Sequence, residues 1–81
     1  MNIQVRLFAR AKDVAGSDAV TVRLPEGATV ADLRRALAEQ HPSLAGLLRT
    51  SALAIDNDFA DERLSVPLNA EVALLPPVSG G

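Results

Sequence analysis

The residues whose types and spacing could do chemistry sit at the end of the chain, where Pro76-Pro77 is followed by Val78-Ser79-Gly80-Gly81. Gly80 and Gly81 carry no side chains, so a backbone ending in a carboxylate can enter a slot too narrow for a Cβ. Each proline fixes its own φ and lacks an N–H, which holds the stalk extended. Extended, the stretch from Pro76 to Gly81 reaches roughly 20 Å. The pattern suggests that the reactive group is the C-terminus itself, at Gly81, presented to another protein. The plain alternative is a frayed terminus. Two prolines followed by two glycines at the final positions favour function.

The rest of the chain excludes most other chemistries. There is no cysteine, so disulfides, thiolate zinc sites and a protein-borne thiol or persulfide are ruled out. The single histidine, His41, rules out histidine-based metal motifs and reads as a helix-end or solvent-facing residue. The glycines form neither GxGxxG nor a P-loop, so no phosphate cradle is encoded. Asp56, Asp58, Asp61 and Glu62 lack the glycine and distal glutamate of a calcium loop and read as a solvated acidic turn. No metal and no bound cofactor are expected. The net charge of -2 gives no electrostatic footprint for nucleic acid or an anionic membrane. No apolar run approaches a transmembrane length, and the opening residues do not resemble a signal peptide. The expectation is a soluble cytoplasmic protein.

The elements that must position the tail can be read from periodicity. Asn2 to Phe8 alternates, with Ile3, Val5 and Leu7 on one side and Gln4 and Arg6 on the other, which predicts a half-buried strand. Ala9 to Ala15 predicts a short helix stopped by Gly16, and Asp18 to Leu24 a second strand. After a turn at Pro25-Glu26-Gly27, Thr29 with Asp32 suggests a capping box opening a helix that ends before Pro42. Val30, Leu33 and Leu37 share its apolar face, and Arg34, Arg35 and Glu39 point mostly away to solvent. Arg34-Arg35 could also meet an acidic partner surface. Ser43 to Arg49 reads as one irregular turn. Ala52 to Ile55 predicts a short strand, Asp56 to Asp58 a turn, Phe59 a return strand, and Leu64 to Leu68 at best an edge because of Pro67. Glu71 to Leu75 predicts the last strand. The domain is residues 1–75 and the tail 76–81. One main helix across one face of a mixed sheet is the economical α+β arrangement for this length.

Parity then singles out a surface. Phe8 is out of phase with Ile3, Val5 and Leu7, and Leu75 is out of phase with Val72 and Leu74. With the helix on one face, Phe8 and Leu75 fall on the uncovered face and mark a protein interface. Phe59 reads equally well as part of that patch or as a closure of the core edge.

The ending Glu71-Val72-Ala73-Leu74-Leu75-Pro76-Pro77-Val78-Ser79-Gly80-Gly81, the Leu7-Phe8-Ala9 segment, Thr29-Val30-Ala31-Asp32-Leu33 and Leu53-Ala54-Ile55 resemble the small subunit of molybdopterin synthase, the MoaD family of ubiquitin-like sulfur carriers. The resemblance spans essentially the whole chain, and its specific part is the tail. It implies the β-grasp fold and a carrier role without catalytic residues of its own. A ubiquitin-activating-type enzyme using Mg-ATP would adenylate the Gly81 carboxylate, and a sulfur donor system would convert it to a thiocarboxylate. The loaded tail would then enter the large synthase subunit, in a complex of two small and two large subunits, to build the molybdopterin dithiolene. The resemblance also implies that Gly81 is the acyl carrier, Gly80 the slot residue and Pro76, Pro77, Val78 and Ser79 the inserted stalk, and that Phe8, Phe59 and Leu75 lie at or near the subunit interface. Three features depart from the family pattern: Asp56 where asparagine is frequent, Asn69-Ala70 in place of a Gly-Asp-type turn, and aliphatic Leu74-Leu75 where aromatics are common. Three other readings compete: a sulfur carrier for another pathway such as thiazole or cysteine formation, a ubiquitin-like modifier conjugated through Gly81, and an interaction module with an inert tail.

Overall fold

The computed structural model describes residues 1–76. The alternating opening segment forms β1 (Asn2–Leu7), and its antiparallel neighbour is β2 (Ala19–Arg23), with Ile3 opposite Val22 and Val5 opposite Val20. Between them α1 (Ala9–Ala15) ends at Gly16, whose φ of 71° is the left-handed value that stops a helix most readily when no Cβ is present. The long helix α2 (Val30–Gln40) is followed by a 3-10 turn at Pro42–Leu44 and a single-turn helix α3 (Ala45–Leu48). Then come β3 (Ala52–Ile55), β4 (Asp58–Phe59) and β5 (Val72–Leu75).

The strands make one mixed sheet in the order β2-β1-β5-β3-β4. The last strand therefore inserts in the middle, parallel to β1 and antiparallel to β3. This is the expected β-grasp arrangement: Val30, Leu33 and Leu37 of α2 are fully buried in one cluster with Ile3, Val5, Leu7, Val22, Leu53 and Leu74. No polar or charged residue is buried among the described residues, so aliphatic burial supplies the core.

The start of α2 leaves no orphan donor. Thr29 Oγ1 accepts from the Asp32 N–H at 3.3 Å, and Asp32 Oδ2 accepts from the Thr29 N–H at 3.0 Å. The Val30 and Ala31 N–H groups donate to the carbonyls of Leu64 and Glu62, so a distant loop caps the remaining first-turn donors. The hydrogen bonds from Thr29 hold the Asp32 carboxyl below its usual range.

That same loop corrects the reading of Arg34. Its guanidinium is not a free solvent-facing group. Nε and Nη2 donate to the two carboxylate oxygens of Glu62 at 3.0 and 2.9 Å, and Nη1 donates to the carbonyls of Leu48 at 2.6 Å and Ser51 at 2.8 Å. Arg34 thus ties α2 to the end of α3 and to the loop after β4, and the bond from Arg34 lowers the pKa of Glu62. Helical periodicity places a residue relative to its own helix only, so it is blind to a partner 28 residues away. Arg35 does remain exposed.

Two other segments differ from their sequence reading. Ser43 to Arg49 is helical for most of its length rather than irregular. Leu64 to Leu68 forms no strand and contributes only an isolated bridge between Ser65 and Thr29. Pro67 lacks the donor that a ladder would need there. Further, Asp56 and Asn57 both have positive φ, 51° and 74°, as a two-residue hairpin of the type joining β3 to β4 requires, and Asn69 sits at 62°. Asn and Asp are the side chains that best tolerate this region after glycine, which accounts for the turns at two of the three departures from the family pattern.

Candidate functional site

The tail leaves the domain from the centre of the sheet. Leu74 pairs with Leu7 on one side and Leu53 on the other, and Leu75 pairs with Ala52. A strand held on both flanks fixes the height and direction at which Pro76 leaves the domain. The reactive end expected at Gly81, with Gly80, Ser79, Val78 and Pro77, lies outside the described residues. Pro76 is exposed at the root.

Around that root lies an apolar groove of about 160 Å³, lined by Phe8, Ala11, Leu47, Leu74, Leu75 and Pro76 among others. Phe8 is placed there by a sharp change of course. It has extended angles, then Ala9 takes a φ of 51°, and the Phe8 carbonyl accepts from the Ala11 N–H as α1 begins. The left-handed value at an alanine costs about 1 kcal/mol or more. It swings the chain out of the sheet immediately after Phe8, which stays 43% exposed.

The uncovered face continues from this groove. Leu75 is half-buried there, and Ala73 follows it two residues earlier on β5 with the same parity. Phe59 is paired with Ala54 and is 71% exposed, so of its two readings the structure gives the surface one. Phe8, Leu75 and Phe59 are thus on one side of the sheet, opposite α2. Sequence reasoning placed Arg6 on this side without counting it in the patch, and it passed over Ala52 and Ala54. Parity was the available signal, since Arg6 shares its side with Phe8, and register supplied the rest.

Ionisable side chains are not gathered into a site. Among the described residues no group of three or more His, Asp or Glu is placed to hold a metal ion. Of the acidic cluster, Asp56 accepts from the Glu71 N–H through Oδ1, Asp61 accepts from the Arg63 N–H, and Glu62 is held by Arg34. His41 is bound to β2 rather than free, with Nε2 at 2.8 Å from the Thr21 carbonyl. Its neighbour Gln40 both donates to and accepts from the backbone of Arg23. Together they occupy outward-facing backbone groups of β2, an edge strand that would otherwise template pairing. The described residues offer a surface and a tail root rather than a catalytic pocket.

The ThiS family model matches residues 5–81, which is nearly the whole chain and runs through Gly81. The chain belongs to the ThiS family. It is 35% identical over 81 residues to the molybdopterin synthase sulfur carrier subunit of Dictyostelium discoideum, covering 96% of this chain and 94% of that protein. Among solved structures, SAMP1 from Haloferax volcanii superposes with a TM-score of 0.82 at 32% identity over the full length of both chains. A complex of subunits 1 and 2 of molybdopterin-converting factor from Helicobacter pylori matches with a TM-score of 0.69 at 23% identity over the full length of both chains, a likeness in fold. The family membership and the β-grasp fold agree with the resemblance read from the tail and the first strand. No helix among the described residues is long and apolar enough to cross a membrane.

Proposed function

We propose that this ThiS-family chain is the sulfur carrier subunit of a molybdopterin synthase. The observation that supports this most directly is full-length similarity to the Dictyostelium discoideum sulfur carrier subunit, through a family match that runs to Gly81. The geometry is compatible: a centrally held strand delivers the stalk, and an apolar groove and open face surround its root.

A carboxylate is a poor acyl electrophile because its charge is delocalised, so it needs a better leaving group. In the proposed cycle a Gly81 carboxylate oxygen attacks the α-phosphorus of ATP in an adenylating partner, and pyrophosphate leaves. Sulfide-level sulfur from a donor then attacks the acyl carbon, the acyl–phosphate bond breaks and AMP leaves, giving the thiocarboxylate. In the large subunit, that sulfur attacks an oxygen-bearing carbon of a pyranopterin precursor, and the C–S bond forms as the C–O bond to that carbon breaks and its oxygen leaves. Water then cleaves the acyl–sulfur bond, leaving sulfur on the pterin and returning the carboxylate. This chain contributes the acyl carrier, a stalk without bulk at Gly80 and Gly81, and the docking face around Phe8, Phe59 and Leu75. Assembly as two small and two large subunits belongs to the same proposal.

A second reading follows from the likeness to the Haloferax volcanii small archaeal modifier protein. In it the activated Gly81 would form an amide with a lysine of a target protein. Incubating the chain with the adenylating enzyme, ATP, a sulfur donor, the large subunit, the pyranopterin precursor and host-cell protein separates the two. Consumption of a Gly81 thiocarboxylate with sulfur appearing on the pterin supports the carrier. Lysine conjugates without pterin sulfuration overturn it.

A further inference from the structure

One row of residues crosses the uncovered face with each member opposite the next: Ala19, Arg6, Ala73, Ala54 and Phe59. Two alanines, Ala19 and Ala73, flank one cation; buried Ala54 comes next, and an aromatic closes the row. Arg6 is exposed, and among the described residues its side chain enters no ion pair. Its neighbours in the row are too short to shield it. Two shallow hollows of about 480 and 400 Å³ flank it, and both are lined by Gln4 and Arg6. Its unbonded donors contrast with those of Arg34, which are consumed within the fold.

A protein that covers Phe8, Leu75 and Phe59 must cover this row as well, because Leu75 lies two residues from Ala73 and Phe59 is a member of the row. Covering a guanidinium that has no acceptor is unfavourable unless the partner supplies one. A carboxylate matches the planar fork with two parallel bonds. Glu71 directly precedes β5, shares the parity of Ala73 and lines one of the two hollows with Arg6, forming no ion pair with it. A partner carboxylate is therefore attracted at Arg6 and repelled one row away, which fixes its orientation. We propose that Arg6 is a specificity-determining residue of the docking face, receiving a carboxylate that projects from an otherwise apolar surface of the large subunit. This rests on the carrier reading.

The test is a calorimetric titration of the chain and its Arg6→Leu, Arg6→Lys and Arg6→Glu variants into the large synthase subunit of the same organism, at low and high salt. Arg6→Glu should bind about 30-fold or more weakly, since breaking a desolvated charge pair costs 2 kcal/mol upward. Arg6→Leu should lose about tenfold and show a shallower salt dependence than the wild type, and Arg6→Lys should recover part of the loss. All should unfold at the wild-type temperature. Equal or tighter binding by Arg6→Leu overturns the inference, as does a salt dependence identical to the wild type. If the wild-type chain itself does not bind, the carrier reading fails and this inference falls with it.

Discussion

Replacing Arg34 by methionine keeps the aliphatic stem and deletes the guanidinium that joins three parts of the fold. Four hydrogen bonds are lost, two to Glu62 and two to the carbonyls of Leu48 and Ser51. They are not equal in worth. The Arg34 side chain is 26% exposed and Glu62 is 48% exposed, so water screens the ion pair and it contributes about 0–1 kcal/mol. The two carbonyls lie at the C-terminal end of α3 and in the turn into β3, and losing a charged donor costs about 1–3 kcal/mol in all. The sum is about 1–4 kcal/mol. For a domain of this size each kcal/mol moves Tm by about 4–8 °C, so a fall of about 4–30 °C is expected. Thermal unfolding followed by circular dichroism would measure it, with Glu62→Gln beside it. Glu62→Gln should cost about 1 kcal/mol or less, because it leaves both carbonyl bonds in place. Equal losses in the two variants would show that the ion pair, not the carbonyl clamp, is what matters. A fall in Tm below about 3 °C for Arg34→Met would refute the clamp altogether.

Three further outcomes follow from the same structure. Phe8→Glu and Leu75→Glu should each weaken binding to the large subunit by about tenfold or more while leaving adenylation of Gly81 in place, read by calorimetry and pyrophosphate release; unchanged binding in both would remove the open face as the docking surface. Removing Gly81 should abolish sulfur transfer and leave Tm within about 1 °C, and a large loss of stability would instead make the tail structural. The pKa values of Glu62 and Asp32 are lowered in the folded chain, by Arg34 and Thr29 respectively. Their contribution to stability is therefore full above the ordinary carboxylate range and lost as pH falls through the lower folded values. Urea titrations at descending pH should show that loss, and Thr29→Ala should reduce it while costing about 1 kcal/mol at neutral pH.

The sequence was most readable where function and local geometry coincide. Alternation in β1 fixed which of its residues face α2, and Thr29 with Asp32 marked the helix start, because both depend on contacts within a few residues. Phe8 and Leu75 could be assigned to the open face by parity alone. What escaped depends on contacts distant along the chain. Arg34 finds Glu62 only because the loop after β4 returns over α2, and no helical wheel contains that loop. Phe59 could not be assigned from its short segment, since a two-residue strand has no period, and its place came from pairing with Ala54. Arg6 read as an ordinary outward residue, because its place in the row appears only when Ala19, Ala73 and Ala54 are aligned by register. The positive φ at Ala9 likewise had no signal in an alanine-rich stretch.

The central claim is that Gly81 carries sulfur as an acyl thiocarboxylate. Intact-mass measurement of the chain isolated from its native host, with fragmentation of the C-terminal peptide, addresses this most directly. The account predicts a population in which one oxygen at Gly81 is exchanged for sulfur, depleted when large subunit and pyranopterin precursor are added. Gly81 found instead in amide linkage to lysines of other proteins, with no sulfur-bearing form even when the adenylating enzyme, ATP and a sulfur donor are supplied, would contradict it.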